Sequence, residues 1–309
     1  MRHITVGVFH DDTIGRELGK KGTESDILMF NRKLDEQIFS FMSPVEDRIF
    51  PKSQIISGID AAVVVFAETT RDLGETIVML DSFNISKGIA VTSSYATPDQ
   101  IAAIIKGTVL RSFIIQERDS PKILEVLRGF EPERDTSSPT VVVVDHSFSV
   151  RGVGEVILGF VRKGIVRKYD KLMLLPGNKE VIVRSIQMQD EDYEEAEAGS
   201  RVGLALKGAS VEEMKRGSIL CAPDSVKTNT TLKLSFRKSP FYSDELKEGV
   251  FHATVSMQTN PINIMGIGTT SISIQSEKPI AYLPEDTFLL LDLNAKKMRI
   301  IGKAHVLES

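Results

Sequence analysis

The hydrophobic pattern of this chain changes its period a little before its midpoint, and this change constrains the fold more than any other feature of the sequence. In the first part, short apolar runs such as 4–9 and 61–67 alternate with amphipathic stretches of helical period, such as 73–83 and 98–105. Apolar strands that alternate with helices are typical of a parallel sheet covered on both faces. We therefore predict an α/β domain at residues 1–136.

A different pattern follows this domain. The segment 131–139 is polar and bounded by prolines, which is the composition of a linker. Beyond it, short strands recur at a spacing of about ten residues, separated by turn-forming residues, with almost no helical period. Such a series is typical of a closed β-barrel, and it occurs twice. We predict two barrels, at residues 137–226 and 227–309.

Composition excludes several classes of protein. The 309 residues carry 38 Lys and Arg against 42 Asp and Glu, a formal net charge of −4, which argues against a nucleic-acid coat protein, and we expect no DNA partner. No apolar run approaches the roughly 18 residues of a membrane helix, and the first residues lack a signal-peptide pattern. We expect a soluble, cytoplasmic protein without a membrane partner. The single cysteine, Cys221, excludes an internal disulfide.

The middle segment carries an ordered series of glycines and charged residues. The series comprises Val144–Val156, Gly159, Val161–Ile165, Val183–Gln187, Arg201–Gly208 and Arg216–Gly217. Each such glycine marks a turn with positive φ or a close approach of strands. The segment resembles the second domain of translational GTPases, and is most similar to elongation factor Tu and the selenocysteine-specific elongation factor. The resemblance implies a P-loop-GTPase-like α/β domain in front and a second barrel behind.

The nucleotide motifs of that family are missing from the first domain. A P-loop needs Gly-x-x-x-x-Gly-Lys-[Ser/Thr], whose backbone N–H groups wrap the phosphates, but here the first strand continues into His10-Asp11-Asp12. Asp47–Pro51 stands in place of the family's Asp-x-x-Gly, and Ser93–Asp99 in place of its Asn-Lys-x-Asp. We interpret the domain as a pseudo-GTPase that has no catalytic residues and needs no cofactor.

Other polar clusters have simpler interpretations. Asp12 or Thr13 is expected to cap the helix that follows the first strand. The acidic stretch 190–197 lacks the spacing of a calcium loop, so we interpret it as a solvated turn and predict no metal site. An alternative nucleotide site would use Lys20, Lys21 and Thr23 of the segment Gly19–Thr23, which contains a Gly-Lys step.

The resemblance also implies a binding pocket in the middle barrel. In the family, the second domain holds the terminal adenosine and the aminoacyl group of a charged tRNA. By position, the corresponding pocket consists of Asp145, His146, Phe148 and Arg201. A carboxylate there can pair with the α-amino group, and an aromatic ring can pack on the adenine. Arg201 departs from the neutral polar residue of elongation factor Tu.

Basic residues are concentrated in the same barrel. We predict a basic face that consists of Arg151, Arg162, Lys163, Arg167, Lys168 and Lys171. Phosphate contact with structured RNA is its functional interpretation. The alternative is a solvated barrel edge, where Lys and Arg prevent edge-to-edge pairing.

These features together predict a function. We expect a non-hydrolysing relative of elongation factor Tu and the selenocysteine-specific factor that binds a charged tRNA or the ribosome through its barrels. The α/β domain would then be a structural remnant or a surface for a protein partner. Two alternatives are a divergent GTP-binding elongation factor with a non-standard nucleotide site, and a scaffold for docking proteins.

Overall fold

The computed structural model describes residues 1–46 and 48–307. The chain forms an α/β unit followed by two six-stranded β-barrels, which confirms the predicted fold class. The exact domain boundaries stay predictions. Asp47, the first residue of the segment in place of Asp-x-x-Gly, lies outside the described residues.

The α/β unit is one seven-stranded sheet with the order β2-β3-β4-β1-β5-β6-β7. Its strands are β1 (Arg2–Phe9), β2 (Lys20–Glu24), β3 (Ile27–Leu34), β4 (Gln37–Pro44), β5 (Ala61–Val65), β6 (Gly88–Val91) and β7 (Ile114–Gln116). Its helices are α1 (Asp12–Leu18), α2 (Ile49–Ile56), α3 (Arg71–Ser82), α4 (Pro98–Ile105) and α5 (Ser120–Arg128). Strand β5 is buried along its whole length, as the apolar run 61–67 predicts. Strand β4 is equally buried, although no strand was predicted there.

The prediction of a purely parallel sheet is incomplete. The strands from β4 to β7 are parallel, but β2 and β3 run antiparallel at one edge. The sequence analysis missed β2 because all but one of its residues are exposed, so no apolar alternation marks it. The helix expected after the first strand is present as α1. Helix α2 was missed because most of its residues are buried, so no polar face marks a helical period.

The middle barrel closes through six strands in the order β11-β16-β8-β9-β15-β12, and β12 pairs back to β11. The strands of this region are β8 (Val141–Val150), β9 (Gly154–Lys163), β10 (Ile165–Arg167), β11 (Lys171–Leu175), β12 (Lys179–Met188), β13 (Glu191–Tyr193), β14 (Glu195–Glu197), β15 (Arg201–Lys207) and β16 (Ile219–Cys221). Gly164 joins β9 to β10 with φ 69°, and a Cβ atom there would lie 2.5 Å from the carbonyl oxygen of Ser138. This position therefore requires glycine.

The third unit is a closed barrel with the order β17-β20-β19-β18-β21-β22. Its strands are β17 (Lys227–Lys238), β18 (Gly249–Val255), β19 (Gln258–Ile267), β20 (Ser271–Tyr282), β21 (Phe288–Leu291) and β22 (Ile300–Val306). No helix in the described part of the chain is both long and apolar enough to cross a membrane.

The predicted linker 131–139 contains no helix or strand. It is nevertheless fastened to the sheet, because Arg134 donates two hydrogen bonds of 2.7 Å to the Asp60 carboxylate and one of 2.8 Å to the His3 carbonyl oxygen. The linker therefore lies in a fixed position between the α/β unit and the middle barrel.

His3 predicts how stability depends on pH. Burial, with smaller contributions from the N-terminal ammonium group and Arg134, lowers the pKa of His3 from 6.5 to about 4. Folding therefore favours neutral His3, so its contribution is complete above about pH 6.5 and is lost as the pH falls toward 4, at a cost of about 3 kcal/mol. Urea unfolding of the wild type and of His3→Gln, each at several pH values, measures this loss of unfolding free energy. Other groups titrate equally in both proteins, so the difference between them reports on His3. Equal losses of unfolding free energy in the two proteins would contradict it.

Candidate functional site

The carboxyl edge of the sheet, where β1 leads into α1, is closed by the protein's own charged groups. Asp11 caps α1, since its carboxylate accepts a 3.0 Å hydrogen bond from the Thr13 N–H. Arg118, which follows β7, donates to Asp11 (2.5 Å), to the Thr13 hydroxyl (2.6 Å) and to Glu17 (2.6 Å). The expectation that Asp12 or Thr13 caps this helix was wrong, because Asp12 is already its first residue and pairs with Arg16 at 2.8 Å.

These groups form one ionised network. Hydrogen bonds from Ser120 and Arg118 hold the pKa of Glu17 below its usual value. The hydrogen bond to Glu17 raises the pKa of Arg118. The N-terminus of α1, where a phosphate is held in folds of this kind, is therefore already neutralised by protein carboxylates and one guanidinium.

A second charged cluster lies beside this edge. The His10 Nδ1 atom is 3.5 Å from the Asp72 carboxylate, and its Nε2 atom is 3.0 Å from the Thr76 hydroxyl. Lys52, which is 1% exposed, pairs with the same carboxylate. The cluster ties the end of β1 to helices α2 and α3. Within 1–46 and 48–307, no three His, Cys, Asp or Glu side chains meet in an arrangement that could hold a metal ion.

A cleft of about 720 Å³ separates β2 from the middle barrel. It is lined by Phe148 and Arg201 of the predicted aminoacyl pocket and by Lys20, Lys21 and Thr23 of the alternative nucleotide site. The structure thus brings two separately predicted groups into one cleft. Their roles there stay predictions.

Asp145 supports this cleft from behind instead of lining it. Its side chain is 4% exposed, and it accepts a 3.1 Å hydrogen bond from Arg201. Arg201 also lies 3.4 Å from the Thr23 hydroxyl, and its guanidinium sits 5.0 Å from the centre of the Phe160 ring. The Asp145 carboxylate is therefore already engaged: one oxygen accepts from Arg201, and the other lies 3.8 Å from Arg216 Nε.

His146 and Arg216 complete the surroundings of the pocket. The His146 ring lies 5.9 Å from the ring of Phe148. Arg216, which the sequence analysis did not assign to the pocket, donates to the Asp145 carbonyl oxygen (3.2 Å) and pairs with Asp26 at 2.7 Å. It therefore joins the barrel to the β2–β3 hairpin of the α/β unit.

The lining of the cleft is chemically mixed. It includes the half-buried Val156 and Leu158 of β9 and the exposed Asp190 and Asp192. Asp192 accepts a 2.9 Å hydrogen bond from the Gln187 side chain. The cleft therefore offers apolar surface, lysines and carboxylates together. The sequence analysis interpreted the acidic stretch as a solvated turn and missed its position at the cleft.

Four residues of the predicted basic face have acidic partners. Lys163 pairs with Glu285 (2.5 Å), and Arg162 pairs with Asp286 of the third barrel. Arg167 and Lys168 pair with Glu195 (3.0 Å) and Glu194 (3.2 Å), respectively. Arg151 and Lys171 are exposed, and no carboxylate of the described chain pairs with them. The positive charge of this face is therefore largely compensated, and two of its members hold the barrels together.

An uncompensated basic surface lies on the third barrel. Arg237 of β17 stands directly opposite Lys303 of β22, and Ser235 stands opposite His305. Lys233 follows on the same face of β17, because side chains two and four residues apart share a face of a strand. We call Lys233, Arg237, Lys303 and His305 the basic ladder.

The basic ladder has a cost in stability. Like charges directly opposite each other in a sheet are destabilising, and in the part of the chain that the structure describes no carboxylate pairs with Lys233, Arg237 or Lys303.

Alternation along β17 marks two residues of the basic ladder in the sequence, but the pairing with β22 joins residues more than 60 positions apart. The sequence analysis therefore missed the ladder.

Comparisons with known proteins agree with this architecture. A family model for elongation factor Tu domain 2 matches residues 154–221, in the middle barrel. The chain is 39% identical to the uncharacterized protein MJ0325 of Methanocaldococcus jannaschii over an alignment of 306 residues. This alignment covers 98% of this chain and 99% of the relative.

Among solved structures, the chain is similar to translation elongation factor SelB from Methanococcus maripaludis. The apo form is 25% identical with a TM-score of 0.84. The complex with the GTP analogue GPPNHP is 24% identical with a TM-score of 0.85. Both alignments cover 100% of this chain and 80% and 79% of the respective SelB chains. The chain therefore belongs to one family with MJ0325, and that family is translational GTPase-like.

Proposed function

We propose that this protein is a cytoplasmic, translation elongation factor-like protein that binds RNA, either a charged tRNA or the ribosome, through its two barrels and does not hydrolyse GTP. One observation carries the proposal: Arg118 bridges Asp11 and Glu17 at the edge of the sheet where β1 meets α1. SelB, whose fold is similar, was solved with a GTP analogue, but here protein carboxylates occupy the phosphate-binding edge.

Electrostatics opposes a nucleotide at this edge. The N–H groups that start α1 attract anions, but Asp11 already accepts from one of them. A triphosphate would have to displace this carboxylate and break its ion pair with Arg118. It would also lie close to Asp12 and Glu17, and two unit charges 4 Å apart repel by about 1 to 4 kcal/mol between water and a protein surface.

The cleft supports the RNA part of the proposal. Phe148 lines the cleft together with Val156, which stands opposite it on β9, and an aromatic ring beside apolar surface is a platform for stacking a base. Lys20, on the other wall, is suited to a phosphate group. The basic ladder offers a second surface for the phosphates of a bound RNA.

The alternative nucleotide site finds little support in the geometry. Lys20, Lys21 and Thr23 lie on the edge strand β2, which follows the C-terminal end of α1. Lys21 pairs with Glu24 at 2.5 Å. A phosphate-binding loop instead surrounds its ligand with backbone N–H groups.

Calorimetry with GTP and GDP in the presence of Mg²⁺ tests the first part of this proposal. We expect no heat of binding and no thermal stabilisation at millimolar nucleotide. Micromolar affinity would overturn the proposal and favour the divergent GTP-binding factor.

Binding of charged and uncharged tRNA, and of ribosomes, tests the second part. Phe148→Ala should weaken the binding of charged tRNA about tenfold, because one stacked base contributes roughly 1–3 kcal/mol. Tyr95→Ala removes an exposed aromatic ring from the α/β unit and should leave affinity unchanged. If neither tRNA nor ribosomes bind the wild type, the protein-docking scaffold becomes the better account.

A further inference from the structure

We propose that the tip of the β18–β19 hairpin, Ser256 and Met257, is a keystone that locks the α/β unit and both barrels in one arrangement without a nucleotide. This inference concerns how the units are held together. It depends on the proposed function only in its last consequence, the affinity for RNA.

Met257 inserts into the α/β unit. Its side chain is 1% exposed and belongs to the apolar cluster beneath α2 and α3. Its backbone N–H donates a 2.9 Å hydrogen bond to the Ser57 hydroxyl at the end of α2. A Cβ atom on Gly58 would lie 3.6 Å from Met257 Cγ, so the Met257 side chain packs beside Gly58.

The neighbouring residues of the tip contact the middle barrel. The Ser256 hydroxyl accepts a 2.6 Å hydrogen bond from Arg162 of β9 and donates one of 3.0 Å to Asp286. A Cβ atom on Gly217, where φ is 80°, would lie 2.6 Å from the Gln258 nitrogen. The tip therefore touches all three units within three consecutive residues.

The backbone of the tip points to the same role. Both residues of this two-residue loop have positive φ, 45° at Ser256 and 64° at Met257. Asn and Gly adopt such a loop most easily, and other residues are strained there. A loop needed only to reverse the chain would favour glycine at position 257. Met257 is instead explained by the buried surface that it fills.

Contacts around the keystone fasten α2 to the third barrel. The hydroxyls of Ser53 and Thr254, both fully buried, are 2.9 Å apart. The Phe50 ring packs on the His252 ring with centroids 5.1 Å apart. One apolar cluster runs through all three units, since it includes Phe160 of the middle barrel as well as residues of the α/β unit and the third barrel. Separating the units would expose this cluster to water, which is unfavourable.

The lock has a consequence for the cleft. One wall of the cleft belongs to β2 and the other to the middle barrel, so fixing the units fixes its width. If the proposed function holds, RNA affinity is then independent of guanine nucleotides.

A reversible cross-link tests the lock. We would replace Ser53 and Thr254 by cysteine in the full chain, where the native Cys221 is buried and does not compete. We expect the disulfide to form readily and small-angle scattering to give the same radius of gyration for the oxidised and the reduced protein. A larger radius in the reduced protein, or an expansion of the wild type on adding GDP, would overturn the lock.

Variants at the tip test the keystone itself. Met257→Gly relieves the backbone strain of the positive φ at position 257 but removes the buried side chain. We expect a larger radius of gyration and at least tenfold faster protease cleavage within the linker 131–139. Met257→Leu keeps the apolar volume and should behave as the wild type. A Met257→Gly protein as compact and resistant as the wild type would show that the tip is only a turn.

RNA binding by the cross-linked protein then separates the two hypotheses. We expect equal affinity, within twofold, for the oxidised and reduced forms. Loss of binding only on oxidation would show that the units must separate to bind RNA, which contradicts the lock as the working state. If neither form binds RNA, the proposed function fails, while the scattering data still decide the lock.

Discussion

Replacing Arg237 and Lys303 together by glutamate is expected to weaken RNA binding about 10- to 100-fold near 0.1 M salt. Both residues belong to the basic ladder and stand opposite each other on β17 and β22. Each phosphate contact adds close to one unit to the slope of log affinity against log salt concentration. The double variant should therefore lower this slope by about two, which a salt titration of tRNA binding measures.

A matched variant controls for net charge. Lys247→Glu with Lys297→Glu makes the same change of charge on the same barrel outside the ladder, and should weaken binding much less. The ladder variant replaces one like-charged pair by another, so its cross-strand repulsion stays similar and its unfolding free energy should hardly change. Equal losses of RNA affinity in the two double variants would contradict a role for the ladder.

The basic ladder could be predicted only in part. Alternation along β17 shows that Lys233 and Arg237 share a face, but their neighbours on β22 are set by barrel closure. The fold class, in contrast, could be predicted because strand and helix periods are local properties of the chain. The edge strand β2 was missed because its residues are nearly all polar and exposed.

The candidate site was predictable only in part. The resemblance identified Phe148 and Arg201, and both line the cleft. It did not reveal that Arg201 holds Asp145, because this depends on which side chains are buried beside each other. Arg162 looked like a surface cation in the sequence, but its partners Ser256 and Asp286 come from the third barrel. Long-range ion pairs of this kind leave no periodic signal.

Glu75 and Arg299 form a largely buried ion pair between the α/β unit and the third barrel, and removing one partner should have a large effect on stability. The Glu75 side chain is 1% exposed. Arg299 donates to it from its guanidinium at 3.0 Å and from its backbone N–H at 2.9 Å. The hydrogen bond to Glu75 raises the pKa of Arg299, so the guanidinium keeps its charge.

Arg299→Met is expected to lower the free energy of unfolding by about 3 kcal/mol, because it leaves the Glu75 carboxylate buried with less compensation. Arg71 remains 3.5 Å from that carboxylate but is 41% exposed, so it replaces only part of the lost interaction. Urea unfolding measures the change, with Arg237→Met as a control that removes an exposed guanidinium from the same barrel.

The double variant Glu75→Met with Arg299→Met distinguishes a buried charge from lost packing. Replacing both partners of a buried pair by apolar side chains is often neutral or stabilising, so the double variant should recover most of the loss seen in Arg299→Met. Failure to recover would mean that the loss comes from packing around Arg299, the last residue before β22. Recovery would show that the contact between α3 and the third barrel needs matched side chains at positions 75 and 299. An ion pair would then not be required to keep the units joined.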